Sequence, residues 1–291
     1  MMIKQKAGIS DVFIVIITGI LLIVTIIPIW QMLVIAFSSP DHYSADPYHF
    51  VPRGFSLAIF AELLSSTRIL RSISISVLVV CVGWFGGIVL TGMGAYALNK
   101  LNKYRIPGRK ILFKMIIFTM FFNGGIIPMF LWFRNIQITD TLFSLFLPTL
   151  INTFYLFLMK NYFSSIPEAL EEAATIDGYN HFQILFKIIF PISKPVIAAV
   201  SLFLIVQYWN DYYFAMLFLN DTKLYPLGLI LRNAVIDRQM IVQTVIGDQG
   251  QLSSEQYNMA LVIVSLVPIF MIYPFIQKYF VTGIMVGAIK E

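Results

Sequence analysis

Six stretches of this chain, 12–37, 73–98, 111–133, 141–160, 195–219 and 258–281, are each apolar over about the twenty residues that a helix needs to cross some 30 Å of hydrocarbon. That repetition decides which solvents the chain can fold in. Hydrophobic residues make up 58% of the sequence and charged residues 12%. A soluble domain carries about 25% charged residues, so this chain cannot cover a core with its own polar surface. Lipid must do part of that work. A β-barrel would show alternating segments of about ten residues, and the unbroken apolar runs leave helix as the spanning state. The expected class is an all-α integral membrane protein with six transmembrane helices.

Charge then sets direction. The net charge is +5, but the basic residues lie in short segments beside the apolar runs rather than in one stripe. That pattern argues for topology and against a nucleic-acid partner. With the N-terminus on the cytoplasmic side, thirteen Lys and Arg residues fall inside and seven outside, and the 99–110 segment is the most basic. Both termini are therefore expected in the cytoplasm. The run 12–37 is too long for a cleaved leader and reads as a peripheral first helix. The core is expected over about 73–281, within a single domain spanning 1–291. Cys81 stands alone, and His42, His49 and His181 lack ligand spacing, so neither a disulfide framework nor a metal site is expected. The external segments 38–72 and 220–257 form either a docking surface or plain caps over helix ends.

The second apolar run places Gly83, Gly87, Thr91 and Ala95 four apart, with Gly86, Gly92 and Gly94 nearby. Small residues on one face let membrane helices approach backbone to backbone. A hinge in a moving helix is the other reading of the same stripe.

Between the fourth and fifth runs, residues 161–193 leave the bilayer without becoming a plain loop. Ser165-Ile166-Pro167-Glu168 has the spacing of a capping box. The acids Glu168, Glu171 and Glu172 fall in the first turns of the predicted helix, where its dipole favours negative charge. Gly178 is placed to stop it. Asn180 is placed to cap a second helix with Phe182, Leu185, Phe186, Ile189 and Phe190 on one face, ended by Pro191 and Pro195. An amphipathic hairpin on the inner leaflet would usually carry Lys and Arg on its polar face. This first helix is acidic and better suits a cleft in a soluble partner.

The order Glu172-Ala173-Ala174, three residues, Gly178, nine residues, Ile188, one residue, Phe190-Pro191 resembles the EAA motif of ATP-binding-cassette importer permeases. Phe190 stands where that motif has leucine. Phe122-Asn123-Gly124-Gly125-Ile126-Ile127-Pro128, Trp209-Asn210 and the stretch Gly283 to Lys290 are similar to the oligosaccharide-type permeases of this group. The resemblance covers nearly the whole chain. It implies a MetI-like type I permease fold in a bacterial cytoplasmic membrane. It further implies a second homologous permease, two cytoplasmic ATP-binding subunits that use ATP and Mg, an extracytoplasmic solute-binding protein and an oligosaccharide substrate. Glu172, Ala173, Ala174, Asp177, Gly178 and Pro191 would then form the coupling site on the ATPase.

No G-x-x-x-x-G-K-[ST] loop occurs, so this chain is expected to hydrolyse no ATP, to bind no cofactor and to be no enzyme. A secondary transporter would need intramembrane ion ligands or an inverted repeat. Tyr208, Trp209, Asn210 and Asp211 have the rings, amide and carboxylate of a sugar site, and an interfacial aromatic belt has the same composition. Asn123, Asn152 and Tyr155 are further pathway candidates, or hydrogen-bond partners between helices, and a Gly124-Gly125 break before Pro128 is placed to kink the third run and line a pathway.

Overall fold

The computed structural model describes residues 9–45, 49–236 and 254–288, and every regular element among them is helical. Lys4, Lys6, Arg238, Ile289 and Lys290, used above for topology and resemblance, lie outside the described residues. The elements are α1 (Ile9–Phe37), α2 (Pro40–Ala45), α3 (Ala58–Ser65), α4 (Thr67–Lys103), α5 (Arg109–Phe121), α6 (Ile126–Asn135) and α7 (Phe143–Thr149). They continue with α8 (Thr153–Phe163), α9 (Glu168–Ile176), α10 (His181–Ile192), α11 (Lys194–Asn210), α12 (Tyr213–Phe218), α13 (Leu227–Ile236) and α14 (Ser254–Ala288).

Three spans are single long helices within α1, α4 and α14. The others are bent pairs: α5 with α6 at 108°, α7 with α8 at 53°, and α10 with α11 at 87°. Counting each pair as one span gives six. The run 111–133 bends at the Gly124-Gly125 break before Pro128, as its sequence suggests, whereas the continuous helices expected over 141–160 and 195–219 are corrected to broken ones, the latter interrupted between α11 and α12. Each break has a local cause. Gly125 takes φ 92, a left-handed value open to glycine, and Asn123 Oδ1 accepts its N–H at 2.9 Å. Pro148 lies in a terminal 3-10 turn of α7, after which Asn152 starts α8 afresh. Ser193 leaves helical geometry just before Pro195 at the α10–α11 bend, and Asp211 adopts an extended backbone that ends α11 ahead of α12.

Two compact units divide the chain, one of residues up to Ile69 with Asn233–Leu266, the other of Leu70–Arg232 with Val267 onward. In the first, the buried Gln256 amide donates to Ile35 O at 3.2 Å and Ser38 O at 3.0 Å, satisfying carbonyls at the end of α1. Tyr43 donates to Glu255 at 2.8 Å. The apolar face of α1 between Phe13 and Trp30 is exposed within the chain.

In the second unit α4 is the spine. A Cβ placed on Gly83 would lie 2.6 Å from the Tyr208 ring, one on Gly87 3.0 Å from Leu204, and one on Gly94 2.9 Å from Leu156. Gly92 lies against the Phe190 ring, and Thr91 and Ala95 are fully buried. The expected stripe is therefore a packing surface: it seats α8, α10 and α11 closer than any larger residue would allow. On another edge of this unit, Phe218 of α12 stacks on Phe133 of α6 at 4.8 Å. Asp140, in the α6–α7 turn, accepts the N–H groups of Asn220 at 2.8 Å and Asp221 at 2.9 Å. Those two donors hold its carboxyl below the usual carboxylate range.

Two outcomes follow from this packing. Gly83→Val should lower the melting temperature of the detergent-purified protein, since forced overpacking costs about 1–3 kcal/mol, whereas Gly19→Val, with no atom within 4 Å, should not. Because the Asp140 pKa is depressed on folding, its contribution is complete above the usual carboxylate pKa and disappears as pH falls through the depressed value. Hydrogen exchange at the Asn220 and Asp221 amides should therefore lose protection on acidification, and should speed up about tenfold in Asp140→Ala at neutral pH.

Candidate functional site

Residues 165–193 fold into the helix–glycine–helix knob, with one correction at its start. Ser165 does not cap α9: its hydroxyl donates back to Tyr162 O at 2.7 Å, and Pro167 occupies the cap position in an extended conformation. Proline disfavours helical backbone in the residue before it, which moves the helix start to Glu168, beyond the reach of the serine. The far end forms as expected. Gly178 takes φ 83, its N–H donates to Thr175 O at 3.1 Å, and Tyr179 N–H donates to Ala174 O at 2.9 Å. Those two bonds make a Schellman stop, which needs a left-handed residue where the glycine stands. Asn180 and Gln183 then exchange side-chain-to-backbone bonds, each of 2.9 Å, in a complete capping box. Two helices are thus stopped and restarted within four residues, leaving little freedom at the tip.

The faces of the knob are not those read from the apolar pattern. In α9 the buried residues are Glu171 and Ala174, while Leu170 and Ile176 point outward and Ile176 is 87% exposed. In α10 the buried set is Ile184, Leu185 and Ile189, and Phe182 is 63% exposed. A π-helical turn over Leu185–Ile189 brings Ile184 and Ile189, five residues apart, to the same buried face and leaves Phe186 outside it. Ala173, Asp177 and Pro191 are exposed, and a Cβ on Gly178 would meet no atom within 4 Å. Ile176 and Phe182 thus form an outward apolar patch at an open tip, uncovered by the described residues.

Acidic side chains fix the knob to the end of α4. Lys100 Nζ donates to the buried Glu171 carboxylate. Lys103 Nζ lies 3.1 Å from Glu168 and 3.7 Å from Glu172. The Tyr96 hydroxyl hydrogen-bonds His181 Nδ1 at 3.2 Å, so α4 also holds the first residue of α10. Tyr96, Lys100 and Lys103 are spaced i, i+4 and i+7 on one helical face. A polar cavity of about 220 Å³, lined in part by Asn99, Asn102, Ser164 and Glu168, lies alongside. Sequence reasoning counted Lys100 and Lys103 only for topology and Glu171 only for the helix dipole. The signal available was α4 itself, whose helical pattern runs past the bilayer to residue 103.

The pathway candidates sit at the helix breaks. Asn123 stands at the α5–α6 bend, Asn152 caps α8 by accepting Phe154 N–H at 2.8 Å, and Asn210 ends α11. Asp211 accepts the N–H groups of Tyr213 at 3.1 Å and Phe214 at 3.4 Å, starting α12. Tyr208 is buried and donates to Phe146 O at 3.2 Å, and Trp209 is also buried. Tyr155 donates to Gln207 at 3.3 Å and stacks on Phe203 at 5.8 Å, joining α8 to α11. Asn210 and Asn123 are the exposed amides of the set.

Broken spans with polar residues at each break, and a capped helix–glycine–helix knob outside the spans, are the architecture of a multi-span membrane protein. The chain belongs to the family described as the binding-protein-dependent transport system inner membrane component, matched over residues 5–286. It is a membrane permease subunit of the ATP-binding-cassette importer class, with the MetI-like fold expected from its motif. It is 35% identical over 274 residues to the polygalacturonan/rhamnogalacturonan transport system permease protein YtcP of Bacillus subtilis (strain 168), covering 92% of this chain and 93% of that one. Protein LplC of the same organism is 33% identical over 289 residues, covering 99% and 97%. The structure is similar to a chain from the crystal structure of a bacterial ABC transporter involved in the import of the acidic polysaccharide alginate. That match has TM-score 0.85 and 30% identity, and covers 95% of this chain and 100% of that one.

Proposed function

We propose that this permease carries a carbohydrate oligomer inward across a bacterial cytoplasmic membrane, with both termini in the cytoplasm. In this reading it pairs with a second, homologous permease to enclose the pathway. A solute-binding protein delivers the sugar from outside, and two ATP-binding subunits, which hold ATP and Mg, drive alternating access from the cytoplasm. This chain supplies no hydrolysis and binds no cofactor of its own. The carbohydrate class is supported by relatives and a structural neighbour named for polygalacturonan, rhamnogalacturonan and alginate transport.

The observation that carries the reading is the knob. Its Schellman stop and capping box make a stiff element, and its outward side chains, Ile176 and Phe182, have no cover among the described residues. A stiff protrusion with an apolar tip fits a groove in a soluble subunit. Ala173 and Gly178 allow the groove wall to approach the backbone, and Glu172, two-thirds exposed, faces outward as well as toward Lys103. Motion of the ATPase pair then reaches the membrane through a part that does not absorb it by bending.

At the other end, alternating access needs a pathway lined by groups that sugars recognise. Asn123, Asn152, Tyr155, Tyr208, Trp209, Asn210 and Asp211 are assigned to it. Half-helix ends place polar backbone and side chains at membrane depth, which is tolerated only where protein or a water-filled path satisfies them. The half-buried Tyr155 ring would stack on a pyranose face and the exposed Asn123 and Asn210 amides take hydroxyls, with the buried Tyr208 and Trp209 supporting them from behind.

Gly178→Asp tests the coupling role. A side chain there is forced into a left-handed conformation that costs about 1–2 kcal/mol, and it also fills the space meant for the groove wall. The expected result is normal membrane level with sugar uptake lost and ATP hydrolysis no longer stimulated by the loaded binding protein. Normal uptake at normal protein level would refute the assignment.

A further inference from the structure

The knob is joined to the pathway by two routes, and they differ in continuity. The covalent route runs from α10 into α11 through a π-helical turn and an 87° bend at Ser193. A bend of that size, next to a π turn, interrupts the helical hydrogen-bond ladder, so this route is not one continuous rod. The second route is α4, one helix from Thr67 to Lys103 with no proline inside. Its last turns grip the knob through Lys100, Lys103 and Tyr96. About 25 Å further along the same helix, by its 1.5 Å rise per residue, Gly83 lies against the Tyr208 ring, next to the break at Asn210 and Asp211.

We infer that α4 is the rod that carries displacement of the knob to the broken helix at Asn210, and that the Lys100–Glu171 ion pair is the joint that makes α4 follow the knob. The inference rests on the importer reading above and adds positioning residues to it. Glu171 is 9% exposed and lies on the inward face of α9, so it is not available to a partner docking on Ile176. Its acceptor faces Lys100 across two elements far apart in sequence, whereas the docking surface needs only exposed residues. Three contacts on one stripe of α4 hold both helices of the knob. They resist rotation about any one of them, which a single contact could not do.

Lys103 adds to the joint in a second way. It serves Glu168 and Glu172, which are one helical turn apart, from the wall of the polar cavity of about 220 Å³. Its ammonium is a point charge on a flexible stem, so it can follow either carboxylate as the knob tilts. Lys100, by contrast, is tied to the buried carboxylate and sets the distance between helix and knob. One pair fixes and the other follows.

The test uses the whole complex: this permease, its partner permease, the ATP-binding subunits and membrane vesicles. Asn210→Cys in a Cys81→Ser background gives one thiol at the broken helix, probed with a membrane-impermeant methanethiosulfonate. Labelling is compared without nucleotide and after trapping with Mg, ATP and vanadate. With the joint intact, the two states should differ about tenfold in labelling rate, the size of an ordinary coupling free energy. Glu171→Gln should assemble and hydrolyse ATP at near the unmodified rate, yet reduce that difference to less than about twofold. Lys100→Arg should retain it, and the charge-swapped pair Lys100→Glu with Glu171→Lys should restore most of it. A full difference in Glu171→Gln, or one lost equally in the swapped pair, overturns the joint. A variant that assembles at a reduced level but shows the full difference per complex also overturns it, leaving a plain brace. If the intact joint itself shows no nucleotide-dependent labelling, it is the importer reading that fails.

Discussion

Everything in the larger unit depends on one helix face bare enough to be approached. Lipid chains are as apolar as leucine, so no hydrophobic drive gathers helices within a bilayer, and close packing must do so instead. On α4 the approach is literal: Gly83 meets the Tyr208 ring, Gly87 meets Leu204, Gly92 meets Phe190 and Gly94 meets Leu156. Those four partners belong to α8, α10 and α11, which are the elements that carry the pathway candidates and the knob. Without the stripe the broken helices would have nothing rigid to lean on. Because α4 then continues past the packed region, the same rod that organises the core also reaches the knob.

The breaks explain why polar residues are found where the apolar runs predicted plain helix. Interrupting a helix at membrane depth frees N–H and C=O groups that lipid cannot satisfy. Asn123, Asn152 and Asp211 each accept backbone N–H groups at a break, so part of their polarity is spent on the chain itself. Such a site can still face a pathway, since each oxygen has further acceptor capacity and each amide its donors. Structural and transport roles are compatible in the same side chain.

Much of this was legible in the sequence. Apolar run length identified the spans, the four-residue spacing of glycines identified the packing face, and Gly178 with Asn180 and Gln183 marked the stop and restart of the knob. Run length alone hides a bend, however: 141–160 reads as one apolar run although α7 and α8 meet at 53°, whereas Gly124-Gly125 before Pro128 marked the bend in 111–133. The knob's inward face is not legible for a related reason. Burial in it is set by an ion pair and a π turn, so Glu171 lies inside and Ile176 outside, the reverse of an apolar-inward rule. Contacts such as Lys100 with Glu171 join residues far apart in the chain, and no local period records them.

Central to the account is that the knob exists to be held by another subunit. The direct measurement is isolation of the tagged permease from its own membrane in mild detergent, with quantitative mass spectrometry of what stays bound. The account predicts a second permease in equal amount and ATP-binding subunits in twice that amount, with the ATP-binding subunits lost when Ile176 and Phe182 are both replaced by aspartate. A stable permease recovered without ATP-binding subunits, yet able to transport sugar on its own in vesicles, would contradict it.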